Sequence, residues 1–195
     1  MKISAAILAG GKNSRFGGYN KAFFDIAGKK LCDLQIEVLK KYFNNIFVVS
    51  NDPLAEFGVP STKDIFISAG PLGGIHAALE FSGSDNVFVF SCDMPFLSGD
   101  LIEKMIENMF SEPCDALIPV HEKGIEPLHA IYSKNIMPPV INLLENTNHK
   151  IKLLFDDINM RYFHVDETFD KNRIFFNVND VNDLKKAQDY AKGIN

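Results

Sequence analysis

Residues 3–8, 46–50, 87–91 and 116–120 form short runs, rich in Val, Ile and Phe, that are apolar at consecutive positions. A strand apolar on both faces must be covered on both faces, which is the situation of a parallel sheet packed between helices. The intervening segments have helical spacing. Leu31, Leu34, Val38, Leu39, Tyr42 and Phe43 share a face, as do Leu101, Met105, Ile106 and Met109. Residues 71–81, entered through Gly70-Pro71, and 180–192, stopped by Gly193, read as two further helices. Between 122 and 173 the pattern is less regular, with helices expected at 135–144 and 150–158 and an edge strand at 161–165. The alternation predicts an α/β fold, a doubly wound, mostly parallel sheet with helices on both faces.

The length of 195 residues and 46% hydrophobic content suit one core, and no repeat or Ser/Pro-rich linker interrupts them, so residues 1–195 are expected to form a single domain. A net charge of -5 argues against nucleic acid as a partner, because duplex binding rests on many Lys and Arg contacts to phosphates. Cys32, Cys92 and Cys114 are odd in number and lack C-x-x-C spacing, so they are expected to be thiols in a reducing compartment. The apolar opening at residues 1–9 is short and runs straight into Gly10-Gly11-Lys12, which fits a buried strand better than a leader. No apolar run reaches the roughly 20 residues that span a bilayer. The expectation is a cytoplasmic protein with no membrane contact.

The stretch from residue 8 to residue 21 follows the first strand directly. In open α/β sheets ligands bind beyond the carboxyl ends of the strands. Gly10 and Gly11 allow backbone N–H groups to approach phosphate oxygens, and Lys12, Arg15 and Lys21 supply positive charge. The spacing is neither a Walker A loop nor a G-x-G-x-x-G dinucleotide fingerprint, so kinase-type and nicotinamide chemistry lose support. At the end of the third apolar run, Cys92-Asp93-Met94-Pro95-Phe96 puts a carboxylate at the same sheet edge. Mg²⁺ binds through one or two carboxylates together with substrate phosphates, and Asp93 is the expected ligand, although Asp before a proline-containing turn also serves as a simple cap. His76, His121, His129, His149 and His164 lack metal-ligand spacing and read as structural or substrate-contacting. A phosphate acceptor is already ionised at neutral pH, so nucleotidyl transfer to it needs no general base.

Leu8-Ala9-Gly10-Gly11 with Arg15, Gly17 and Lys21 resembles the signature of nucleotidyltransferases related to sugar-nucleotide pyrophosphorylases, whose domain is of the GT-A, Rossmann-like type. Adding residues 70–74, 92–96, 126–132 and 176–180, the chain resembles the molybdenum cofactor guanylyltransferase family over nearly its whole length. The resemblance implies transfer of GMP from GTP, with Mg²⁺, to the phosphate of molybdenum-loaded molybdopterin. It also implies catalytic Lys21, Asp93 and Arg15, nucleotide contacts from Leu8, Ala9, Gly10, Gly11 and Lys21, nucleoside contacts from Asn51 and Asp64, and a pterin near Asn177 and Asn179. Asn51 is equally a turn former before Asp52-Pro53, and Asn179 equally a cap for the last helix. A pterin-delivering or molybdoenzyme-recipient protein is a further expected partner. The alternatives are a CTP-dependent or sugar-phosphate nucleotidyltransferase and a non-catalytic nucleotide-binding module. One position departs from the family: Asn20 stands where an Asp usually precedes the phosphate lysine.

Overall fold

The computed structural model describes residues 2–10 and 20–193. From the amino end run β1 (Ile3–Leu8), a hairpin of β2 (Asp25–Ile26) and β3 (Lys29–Lys30), α1 (Leu31–Leu39), β4 (Ile46–Val49), β5 (Ser61–Thr62), α2 (Gly70–Phe81) and β6 (Asn86–Ser91). Next come α3 (Gly99–Ser111), β7 (Ala116–His121), β8 (Gly124–Ile125), β9 (His129–Ser133), α4 (Met137–Glu145) and α5 (Ile151–Leu154). The chain finishes with β10 (Met160–His164), α6 (Lys171–Ile174) and α7 (Val181–Ala191). The main sheet has the order β10-β7-β9-β6-β1-β4-β5, with β8 paired to β7. Its neighbours are parallel except around β9, which runs antiparallel to β6 and β7, and at the β7–β8 hairpin.

Alternation along the strands builds a core on each face. Ala5, Ile7, Val48, Phe88 and Phe90 face Leu31, Ile36, Leu39, Leu101, Met105 and Ala187 of α1, α3 and α7. Ala6, Leu8, Phe47, Val87, Val89 and Tyr132 face Leu72, Ile75, Leu79, Val140 and Leu144 of α2 and α4. Burial on both sides is why these strands read as continuous apolar runs. The doubly wound reading therefore holds, with helices on both faces.

The region after residue 122 needed correction. Residues 129–133 form an inner strand that sequence reasoning left unassigned, because its ends are His129 and Ser133, polar side chains that are nonetheless buried. The helix expected at 150–158 shrinks to Ile151–Leu154, and the one expected at 135–144 starts as a 3-10 turn, Lys134–Ile136, before Pro138 and Pro139 occupy the first positions of α4. The edge strand forms as expected, parallel to β7. The last helix is capped by Asp180, whose Oδ1 accepts from the N–H groups of Asn182 and Asp183, so the cap does not fall to Asn179. Gly193, at φ 72°, supplies the left-handed residue that ends it.

His129 is fully buried, edge-on to Phe88 at 5.6 Å, Phe90 at 5.1 Å and Phe175 at 5.4 Å, and neither ring nitrogen has a partner among the described residues. Burial pushes its pKa down to about 3. The unfolded chain takes up this proton near the ordinary histidine value while the folded chain does not. Its stability contribution is therefore complete above that value and lost as pH falls toward about 3, at about 1.4 kcal/mol per pH unit. His129→Leu should remove this dependence, so urea unfolding should find the variant gaining on the wild type steadily between pH 6.5 and pH 4. A stability difference that stays flat over that range would contradict the assignment.

Candidate active site

Three parallel strands end on one line. Leu8 is in register with Val49 of β4 on one side and with Ser91 of β6 on the other. The chain winds outward from β1 to β4 and β5, then returns to place β6 on the other side of β1, which makes the β1–β6 boundary a topological switch point. In open α/β sheets such a switch point is where ligands bind.

Asp93 lies just past β6, and its turn is held from several directions. Ser91 Oγ donates to Asp93 Oδ1 at 2.6 Å, and the Asp93 carbonyl accepts from the Val178 N–H at 2.8 Å. Beneath it, the fully buried Gln35 of α1 donates from Nε2 to the carbonyls of Ser91 and Met94, both at 2.8 Å. Lys21 reaches it from the other side. Its Nζ lies 3.7 Å from Asp93 Oδ2 and 3.4 Å from Asn179 Oδ1, with both Lys21 and Asp93 about one-fifth exposed. The two charges thus remain within reach of a ligand while holding one another in place. The carboxylate is occupied by Ser91 and Lys21 rather than serving as a turn cap.

A pocket of about 430 Å³ opens beside this pair, lined by Leu8, Gly10, Asn51, Asp64, Ile67 and Leu128 among others. Gly74 of α2 lines it too, and a Cβ there would come within 3.1 Å of Leu8 Cδ1, so glycine sets how closely the helix approaches β1. Asn51 and Asp64 form a reciprocal pair. Asn51 Nδ2 donates to Asp64 Oδ2 at 3.2 Å, and the Asp64 N–H donates to Asn51 Oδ1 at 3.1 Å. Burial raises the Asp64 pKa, and the Asn51 hydrogen bond opposes the rise. Ile67, 79% exposed, is an apolar wall with no cover of its own.

Most of the expected site residues therefore converge. Leu8, Gly10, Asn51 and Asp64 line the pocket, and Lys21, Asp93 and Asn179 meet in a second group joined to it through Ser91, which lines the pocket and donates to Asp93. Ala9 is adjacent, but its N–H donates to the Val49 carbonyl and its carbonyl accepts from Asn20 and Ser50. Backbone donors for a phosphate must then come from Gly10 onward. Asn177 donates to the Phe175 carbonyl at 3.0 Å, two residues from Asn179. Gly11, Lys12 and Arg15 lie outside the described residues. Ser91 and Gln35 escaped sequence reasoning. The serine ends an apolar strand and the glutamine sits within an apolar helix face, so neither announces a polar role.

Among the described residues no group of three or more His, Cys, Asp or Glu side chains could hold a metal ion. One hard carboxylate beside a lysine fits a cation that takes most of its ligands from phosphates and water, and Asp93 with its Ser91 support offers that donor. The histidines are not candidates: His76 and His129 are buried, His121 stacks on Phe175 at 4.6 Å, and His149 and His164 are exposed elsewhere.

A family model described as the MobA-like NTP transferase domain matches residues 5–158. A probable molybdenum cofactor guanylyltransferase of Clostridium perfringens (strain 13 / Type A) is 38% identical over 193 residues, covering 95% of this chain and 96% of that protein. Another, from Peptoclostridium acidaminophilum, is 34% identical over 198 residues, covering 94% of this chain and 87% of its own length. The crystal structure of molybdopterin-guanine dinucleotide biosynthesis protein A from Archaeoglobus fulgidus is similar at a TM-score of 0.85 and 29% identity, over 99% of this chain and 100% of that one.

If Ser91 fixes the Asp93 carboxylate for a cation, Ser91→Ala should fold normally yet bind Mn²⁺, the paramagnetic probe, about tenfold to a hundredfold more weakly in the presence of nucleotide, the loss expected for one hydrogen bond to a charged group. Unchanged Mn²⁺ affinity would leave the serine without that role.

Proposed function

Because the chain belongs to the MobA-like NTP transferase family, we propose that it transfers GMP from GTP, with Mg²⁺, to the terminal phosphate of molybdenum-loaded molybdopterin. The products are molybdopterin guanine dinucleotide cofactor and pyrophosphate. The observation that carries this reading is the Lys21–Asp93 pair, 3.7 Å apart at the switch point, linked through Ser91 to a pocket of about 430 Å³ that Asp64 also lines.

The nucleoside would occupy the pocket. Guanine presents adjacent N–H donors on its Watson–Crick edge, and a carboxylate such as Asp64 is an acceptor that matches them, with Asn51 holding it in place. The apolar side chains of Leu8, Ile67 and Leu128 suit the flat faces of a base. The triphosphate then extends toward Lys21 and Asp93. There Lys21 exchanges the carboxylate for phosphate oxygens, and Asp93 is released to hold a cation. Magnesium in that position would neutralise charge on the triphosphate and the departing pyrophosphate.

In the transfer, an oxygen of the acceptor phosphate forms a bond to the α-phosphorus. The bond from that phosphorus to the α–β bridging oxygen breaks, and its electron pair leaves with pyrophosphate. No proton need move, which agrees with a site built of one lysine, carboxylates and amides rather than a nucleophile and base. The work left to the protein is alignment and charge compensation. Asn177 and Asn179, on the far side of Asp93, are the amides available to a pterin edge. A pterin prone to oxidation is best handed on without release, which favours direct contact with a delivering or recipient protein. The three buried free thiols suit a reducing, cytoplasmic setting, and no helix among the described residues is long and apolar enough to cross a membrane.

Purified protein with Mg²⁺ should be stabilised by GTP in preference to CTP, ATP and UTP in a thermal melt, and with metal-loaded molybdopterin it should yield the guanine dinucleotide by mass spectrometry. Selective stabilisation by CTP or UTP, with no guanine product, would overturn the guanylyl assignment. Asp93→Asn should keep the fold and lose pyrophosphate release by at least about a hundredfold, and Lys21→Ala should weaken GTP binding by about tenfold or more, the scale of losing a charged contact to phosphate. Normal turnover in Asp93→Asn would remove the cation role from that residue.

A further inference from the structure

We infer that Asn20 is a positioning residue matched to Asp52, and that this amide–acid pair sets the turn that carries Lys21. The inference rests on the nucleotidyltransferase reading for the role of Lys21, while the geometry that carries it stands independently.

The orientation of the Asn20 amide is fixed by what surrounds it. Its Oδ1 accepts from the Ala22 N–H at 3.0 Å, capping the short 3-10 turn Lys21–Phe23. Only an oxygen can accept that bond, so the amide nitrogen must face the other way. There Nδ2 donates to the carbonyl of Ala9 at 3.3 Å and to Asp52 Oδ2 at 2.8 Å. One side chain therefore joins three pieces of the site: the end of β1, the segment that carries Asn51, and the turn that carries Lys21. Asp52 is tied in again through its N–H, which donates to Ser50 Oγ, and Ser50 Oγ in turn donates to the same Ala9 carbonyl.

A carboxylate at position 20 could still cap the turn, but it has no donor to offer. Its second oxygen would lie against a carbonyl oxygen and against a second carboxylate at hydrogen-bond distance, where like charges repel. An acid at position 20 is thus compatible with this fold only if position 52 is not an acid. Asn20 and Asp52 are complementary, and their identities are coupled through the placement of Lys21.

A double-mutant cycle tests this. Asn20→Asp is expected to lower the melting temperature of the nucleotide-free protein and to weaken Mg–GTP binding, measured by calorimetry, by about tenfold or more. It should raise KM far more than it lowers kcat, because the lysine and the metal carboxylate are themselves intact. Asp52→Asn retains an acceptor in its own amide oxygen and should stay within about threefold of wild type in affinity. Asn20→Asp combined with Asp52→Asn replaces the repulsion with a hydrogen bond, and should recover most of both the melting temperature and the affinity. Strictly additive effects, or an Asn20→Asp variant that matches wild type, would overturn the pairing. Should the wild type prefer CTP, the guanylyl assignment would fail, and the cycle would be read with CTP. The coupling in melting temperature without nucleotide decides the pairing whichever nucleotide binds.

Discussion

The register between β1 and its two parallel neighbours is the constraint on which the site depends. Because Leu8 is level with both Val49 and Ser91, the loops that leave these strands begin on a common line, and adjacent strands lie only about 4.8 Å apart. Asn51, Gly10 and Asp93 are therefore brought together by backbone hydrogen bonding before any side chain interacts. The reversal of winding between β1 and β6 puts the switch point at the same place. A slip of one residue in β6 would move Asp93 along the strand and exchange the faces of Phe88 and Val89, which belong to opposite cores. Core packing and site geometry are in this way the same constraint.

Given that frame, the side chains at the rim are held by polar contacts that leave them able to exchange partners. Lys21 and Asp93 face one another at 3.7 Å, a separation that aims both without committing either. At 3.7 Å and still open to solvent on one side, the pair contributes modestly to stability, about 1 kcal/mol. The turn beneath Asp93 is another matter. Gln35 is fully buried and both of its hydrogen bonds go to backbone carbonyls on either side of Asp93, while its Oε1 has no partner among the described residues. Leaving a buried acceptor unpaired costs about 1–3 kcal/mol. The fold accepts that cost where it fixes the position of a carboxylate.

Much of this was legible in the sequence, and the reason is local. Runs such as Val87-Phe88-Val89-Phe90 carry their two-sided burial in their composition. Asp93 was legible because a charged residue abruptly ends an apolar run. The fifth inner strand was not, because His129 is buried against Phe90 and Phe175, which are distant in the sequence, and Ser133 lies opposite Asn86 of β6. Ser91, Gln35 and the Asn20–Asp52 contact were hidden for the same reason. A hydrogen bond between residues 32 positions apart has no periodicity and follows only from the register of the sheet.

Charge explains why amides recur around this site. Asp52, Asp64 and Asp93 place three carboxylates among the described residues near the pocket, against the single ammonium of Lys21, and the chain as a whole carries -5. In the proposed reaction two phosphate groups would meet a rim that is net acidic among the described residues, and a divalent cation would supply the compensating charge. Holding the loops with further lysines would bring cations that compete for Asp93, and holding them with further acids would deepen the repulsion. Asn20, Gln35, Asn51 and Asn179 offer a donor, an acceptor or both, and add no charge to the balance that the phosphates must meet. The described part of the site is therefore held in place by side chains that leave its charge unchanged.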